Sequence, residues 1–329
     1  MKRTALIFLG MLLSTLAAAQ SNIRLSNYWI DTYFINPATI DPTLHTWKFG
    51  VGHRSQWVGF KGAPQTYMFT TAYFSEDMAS QFGIRAISDK IGYTGTTDLA
   101  LTYAYMIDFG NAFLNFGLGF RYQRLFYNWS QAVAETEIPD PALYGIQPHS
   151  KYNTDIGAEF VYHRQKTFWT FGFSSLNMIS LFKTDLAPFT NTNYLYTRFR
   201  SKNRFHYYER AQNWWDFSLA AMLVHSKGYA SPHVFQEEFN ANFHLNFRAS
   251  ILTAGLLYRA MSEAGLLVSV EWSNFSISGV YEYPLQYAKA GVVNPSGTIE
   301  AIIIYKLYTR RLRKPHPFNT DPKCKNCPY

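Results

Sequence analysis

The sequence predicts an all-β chain, a transmembrane antiparallel β-barrel of about fourteen strands, from three observations. Residues 111 to 124 read N-A-F-L-N-F-G-L-G-F-R-Y-Q-R, so Ala112, Leu114, Phe116, Leu118, Phe120 and Tyr122 share one face. Phe113, Asn115, Gly117, Gly119, Arg121 and Gln123 share the other. A period of two marks a strand, and a face of long apolar side chains opposite amides, glycines and guanidinium suits a wall between lipid and a watery lumen. Phe, Tyr and Trp make up 18% of the chain while mean hydropathy is only -0.17, a pairing that barrels need for the lipid face and its aromatic girdles. Beyond residue 20 no window approaches eighteen consecutive apolar residues, which excludes helical spans. On pattern alone, the competing fold is a large secreted β-sandwich with buried aromatics.

The elements follow in order. Lys2 and Arg3, the apolar run from Ala5 to Leu16 and Ala17-Ala18-Ala19 form a signal peptide over residues 1–19. With no Cys near the cleavage site, a lipid anchor is not expected. Residues 20–43 are expected to form a periplasmic N-terminal segment, and Pro37, which rejects ladder pairing, suits it to a periplasmic plug or lid. The barrel is expected over 44–309. Its first strand falls within 45–59, with Trp47, Phe49, Val51 and Trp57 on one face and Lys48, Gly50, Gly52, Arg54 and Gln56 on the other. Twelve further candidates span 65–74, 81–88, 96–107, 111–124, 152–164, 167–175, 214–225, 234–248, 250–259, 265–272, 274–283 and 298–308. Because single-chain bacterial barrels have even strand counts, one more is expected between Tyr194 and Tyr208.

Short links at 108–110 and 261–264 fit periplasmic turns, and the long stretches 124–151 and 177–213 fit the outer side, where a long loop is functional or mobile. Val161, Leu267, Ile302 and Ile304 fall on inward faces, and Gly50, Gly52, Gly117 and Gly119 leave room at the wall. Both features suit a lumen partly filled or plugged; glycines relieving crowding in a narrow, tilted barrel explain the second equally well. On this facing, arginine at Phe116 costs about 2 to 4 kcal/mol at mid-membrane and arginine at Asn115 much less.

Residues 310–329 form a basic tail, expected to be periplasmic. Net charge is +8, and Arg310, Arg311, Arg313, Lys314, Lys323 and Lys325 against Asp321 place most of the excess there. A nucleic-acid binder would spread a basic patch over a folded surface, so nucleic acid is not an expected partner. The tail carries Cys324 and Cys327, a C-x-x-C pair that can be a redox dithiol, half of a zinc site or a disulfide; in an exported chain short of further ligands, a local disulfide is favoured.

Candidate chemistry is sparse. His53, His163, His225, His233 and His244 lack metal-ligand spacing, and no nucleophile elbow, P-loop or dinucleotide fingerprint occurs. No metal, cofactor or catalytic group is therefore assigned. Asp155, Glu159 and Glu271 project inward, as do Arg54, Arg85 and Arg121. Salt-bridged wall charges account for these better than a lumenal hydrolase does, since nothing specifies a nucleophile.

Several blocks carry a resemblance. Tyr33-Phe34-Ile35-Asn36-Pro37-Ala38 is followed by Arg54-Ser55-Gln56-Trp57-Val58-Gly59-Phe60-Lys61-Gly62-Ala63-Pro64-Gln65-Thr66, by Ser88-Asp89-Lys90-Ile91-Gly92, by Tyr103-Ala104-Tyr105 and by Asn294 to Glu300 with Gly297. Together they resemble the PorP/SprF family of outer-membrane proteins linked to type IX secretion and gliding in Bacteroidetes. Ser88 and Ile299 depart from the family pattern, and the region from about 178 to 213 has no clear counterpart. On the residues alone, Gly59, Gly62 and Pro64 read as turn chemistry.

The resemblance implies a non-enzymatic barrel in the outer membrane. It would assist secretion or surface anchoring of cargo with a C-terminal sorting domain, and its partners would be outer-membrane lipid, that cargo, the secretion machinery and periplasmic or peptidoglycan-linked components. An even strand count would put both termini in the periplasm. The competing function is a passive porin or uptake channel, for which an open lumen is required.

Overall fold

In the computed structural model, residues 25–40, 47–127, 149–164, 167–180, 191–201, 214–227, 234–247, 250–260, 262–285 and 297–307 are described. The expected signal peptide, the 310–329 tail with Cys324 and Cys327, and residues 41–46 lie outside them. The strands are β1 (Trp47–Ser55), β2 (Gln65–Ser75), β3 (Ser80–Ile91), β4 (Thr94–Asp108), β5 (Ala112–Tyr127), β6 (His149–Arg164), β7 (Thr167–Ser180), β8 (Asn191–Ser201), β9 (Trp214–Lys227), β10 (Val234–Asn246), β11 (Ser250–Arg259), β12 (Glu263–Trp272), β13 (Phe275–Pro284) and β14 (Thr298–Leu307). Each pairs antiparallel with its chain neighbours, and β1 pairs with β14 to close a fourteen-stranded barrel. Closure leaves no free edge, so backbone polar groups are satisfied around the whole wall.

Alternation places the apolar residues outward. On β5, Phe116, Leu118 and Phe120 are exposed while Asn115, Gly117, Gly119 and Arg121 are buried inside. Rings gather toward the strand ends: Trp47 packs on Tyr73, Trp169 on Phe199 and Phe275 on Tyr305 at one end, Tyr122 on Tyr152 at the other. This is the interfacial distribution of amphipathic rings in a membrane barrel.

The even count brings the start of β1 and the end of β14 to one rim, here the terminal rim; the opposite end is the far rim. The fourteenth strand is β8, Asn191–Ser201, somewhat upstream of the expected window. Trp57 departs from the expected β1 face: its φ of 51° leaves the extended region, so it belongs to the turn. The expectation that 108–110 and 261–264 are turns on one side also fails. Seven strands separate them, so 108–110 caps the terminal rim and 260–263 the far rim. Likewise β8 divides the stretch 177–213, so that β7 ends at the far rim and β9 begins at the terminal rim.

The segment expected to precede the barrel on the periplasmic side lies, over residues 25–40, inside it. This strap has one turn of 3-10 helix, Thr32–Phe34, capped by Asp31 accepting from the Tyr33 amide at 3.0 Å. Ser26, Asn27, Tyr33, Asn36 and Ala38 have no exposed surface. Its apolar side chains meet the inward apolar residues of the wall. Leu25, Tyr28, Phe34 and Ile35 pack with Ile302 and Ile304, Trp29 with Leu267 and Val280, and Ile40 with Phe113 and Val161. The strap thus supplies the lumen with a hydrophobic core.

Candidate functional site

The strap is held by charged and polar side chains that the strands direct inward at every second position. Near the far rim, Arg54 of β1 donates to Glu282 of β13 at 2.7 Å and to Glu300 of β14 at 2.9 Å. Arg259 of β11 pairs with Glu238 at 2.8 Å and with Glu263, and approaches Glu282 at 3.5 Å. Into this belt the strap inserts Ser26 and Asn27. Their backbone amides donate to Glu300 at 3.0 and 2.8 Å, and the Asn27 carboxamide adds a third bond at 3.0 Å. The Ser26 hydroxyl accepts from Arg54 and Arg259, each at 3.1 Å, and donates to Glu282. Four carboxylates share two guanidinium groups here, and the strap's donors meet lone pairs that the arginines leave over.

Midway, Arg85 and Arg121 both donate to Asp155 at 2.6 Å, and Arg121 also reaches Asp98 at 3.1 Å. Arg85 turns its other terminal nitrogen to the carbonyls of Tyr33 and Phe34, each at 3.2 Å. Lys48 pairs with strap residue Asp31 at 2.8 Å and lies over the Tyr33 ring. The Tyr33 hydroxyl contacts Thr102 at 2.5 Å.

Asn36 and Pro37 sit against Gly117 of β5 and Gly157 of β6, which pair across the wall. The Asn36 carboxamide donates to the Ala158 carbonyl of β6, the Phe173 carbonyl of β7 and the Tyr196 hydroxyl of β8. Its oxygen accepts from the Ala38 amide at 2.9 Å, which folds the strap around Pro37. A Cβ at Gly117 would collide with the Pro37–Ala38 backbone, and one at Gly157 with the Asn36 carboxamide. At Gly52 and Gly119 the near neighbours are wall residues only, so both readings of the glycines apply, at different positions. Glu159 accepts from Tyr196 at 2.5 Å, Thr39 at 3.1 Å and Thr32 at 3.4 Å.

The remaining motif residues assemble at the far rim. Trp57, Gly59, Gly62 and Gly92 have positive φ, a conformation glycine adopts freely. The Gln56 amide donates to the Pro64 carbonyl at 3.0 Å, Val58 to Gly297 at 3.0 Å and Gly92 to Gly62 at 2.9 Å. These bonds tie the β1–β2 turn to the β3–β4 turn on one side and to the approach to β14 on the other. Asp89 accepts from Thr66 at 2.5 Å beneath them. Glu271 occupies an inward position on β12 near the terminal rim and is half-buried, apart from the strap contacts.

Sequence reading did not single out the roles of Glu238, Arg259, Glu282 and Glu300, although each occupies an inward position on its strand. Their parity was the available signal. The arrangement is built to hold a polypeptide segment. Among the described residues no group of three or more His, Cys, Asp or Glu could hold a metal ion.

A family model described as type IX secretion system membrane protein PorP/SprF matches residues 17–305. No curated protein matches the chain. Among solved structures, the chain is similar to the Ralstonia pickettii toluene transporter TbuX, at 11% identity over 84% of this chain and 92% of that one, with a TM-score of 0.47. It is also similar to the CymD monoaromatic hydrocarbon channel, at 10% identity over 89% and 95%, with a TM-score of 0.49. For the KdgM porin the figures are 7%, 79%, 99% and 0.37.

Proposed function

Because the chain belongs to the PorP/SprF family of type IX secretion system membrane proteins, we propose that it is a non-enzymatic outer-membrane component of that system. In this role it assists the secretion or surface anchoring of cargo bearing a C-terminal sorting domain. The observation that carries the reading is the family match across 17–305, which takes in the strap and nearly the whole wall. The site geometry supports it. A lumen occupied by sixteen residues of the chain itself, with buried ion pairs on both wall and strap, suits a partner-binding barrel better than a passive uptake channel.

On this reading the terminal rim faces the periplasm, and the basic tail reaches acidic periplasmic or peptidoglycan-linked components, since concentrated positive charge raises the encounter rate with such a surface. Isolation of native complexes from outer membrane tests both parts. Secretion components should travel with the intact chain, and deletion of residues 310–329 should reduce the periplasmic ones while barrel assembly persists. Recovery of the barrel free of any secretion component would overturn the function; unchanged recovery after the deletion would overturn the role of the tail.

A further inference from the structure

Near the far rim the outward face of the wall changes chemistry within one row of residues. Across β2 to β6 the pairing runs through Phe69, Ala86, Leu99, Tyr122 and Tyr152, all apolar or aromatic. One outward position nearer the rim it runs through Tyr67, Ser88, Thr97, Arg124 and Ser150. Hydroxyls and a guanidinium replace the hydrocarbon there. The next outward residue of β3 is Lys90, paired with Gly95, where a Cβ would collide with the Phe126 ring that lies over it. Ser88, Lys90, Thr97, Arg124 and Ser150 are all exposed, and the Ser150 and Tyr122 hydroxyls meet at 3.0 Å.

The depth of the two cations fixes what they face. Lys90 is the eleventh residue of β3 and Arg124 the thirteenth of β5, counted from the terminal rim. A strand needs about 9 to 11 residues to cross the hydrocarbon, so both stand where it gives way to headgroups. They lie two strands and one outward step apart, about 12 Å between Cα atoms. Every ion pair between described residues is made by inward side chains, so neither cation has a carboxylate partner among the described residues. We infer that this sector of β3 to β6 is a docking site for an anionic, phosphate-bearing lipid headgroup. Lys90 and Arg124 supply the counter-charge, Arg124 as a fork that matches phosphate geometry, and Ser88 and Thr97 supply hydroxyl donors between them. The acyl chains lie along Leu99, Leu101 and Phe120, which are exposed on the apolar rows below. That continuity selects a lipid over a soluble anion, which would meet the cations and leave the apolar rows unused. The site depends on the barrel lying in a bilayer and not on the secretion role proposed above.

Native mass spectrometry of the full chain, released from detergent micelles after incubation with a defined lipid, tests the site. Diphosphorylated lipid A should stay bound, and phosphatidylcholine, whose headgroup carries no net charge, should be lost. Lys90→Gln combined with Arg124→Gln should cut the retained lipid A on the order of tenfold, because two basic contacts at the membrane surface are removed. Lys90→Arg combined with Arg124→Lys keeps both charges and should keep the lipid. Both positions are exposed, so the variants fold, which the gel mobility of the unheated barrel verifies. Equal retention of the two lipids by the parent chain, or undiminished lipid A on the double Gln variant, would overturn the site. Displacement of lipid A by inorganic phosphate alone would overturn the headgroup assignment in favour of a simple anion site. A protein carried by the parent in place of lipid, and lost from the double Gln variant, would overturn it in favour of an acidic partner.

Discussion

At the scale of single residues, Arg54 shows why a buried charge in this lumen cannot be exchanged at will. It is 3% exposed and carries two carboxylates, Glu282 and Glu300, that are themselves buried. Arg54→Ala would leave both short of counter-charge, which costs about 3 to 5 kcal/mol when one partner of a buried pair is removed. Thermal unfolding in detergent should register that loss, whereas Arg124→Ala on the outward face should stay within about 0.5 kcal/mol of the parent. Equal effects would mean that the belt is not a buried network. The inward positions of Arg54, Arg85, Arg121, Asp155 and Glu159 were legible from strand parity. Their partners were not, because pairs such as Arg54 with Glu300 join strands at opposite ends of the sequence and only closure brings them together. Asn36 and Pro37 were legible as a motif, yet the three hydrogen bonds that give Asn36 its role come from strands more than a hundred residues away.

At the scale of elements, strands whose two faces differ in chemistry were easy to see and the others were not. β5 alternates cleanly. β8 carries Tyr194 and Tyr196 inward and Leu195 and Phe199 outward, with polar residues on both faces as well, so its two faces differ little and its period is hard to read. The filled lumen also changes an expectation for β5. Asn115 is 1% exposed, and its side-chain oxygen has no hydrogen-bond partner among the described residues, so Asn115→Arg has no watery space to enter and is not mild. Depth along the outer face is the better contrast. Leu118→Arg, at the middle of the strand, should cost about 2 to 4 kcal/mol, and Tyr122→Arg, two positions from the native Arg124, about 0 to 1 kcal/mol. Refolding titrations into lipid vesicles would measure both, and a similar penalty at the two positions would contradict the placement of the hydrocarbon band.

At the scale of the whole molecule, the barrel and its strap form one folded unit. The wall's inward apolar residues, Val161, Leu267, Ile302 and Ile304, were the sequence signal that something lies within, because a water-filled lumen gives them nothing to pack against. Pro37 suited the N-terminal segment to a plug or lid, but nothing in residues 25–40 showed which wall residues would receive them. The strap has no two-residue period, and its polar groups are matched by wall residues spread from β1 to β14. Conductance across a planar bilayer tests the filled lumen most directly, comparing the intact chain with Gly117→Val, whose side chain would collide with the Pro37–Ala38 backbone. Near-zero leak is expected for the intact barrel and a clear rise for Gly117→Val; a large, steady conductance from the intact chain would contradict a lumen closed by its own N-terminal segment.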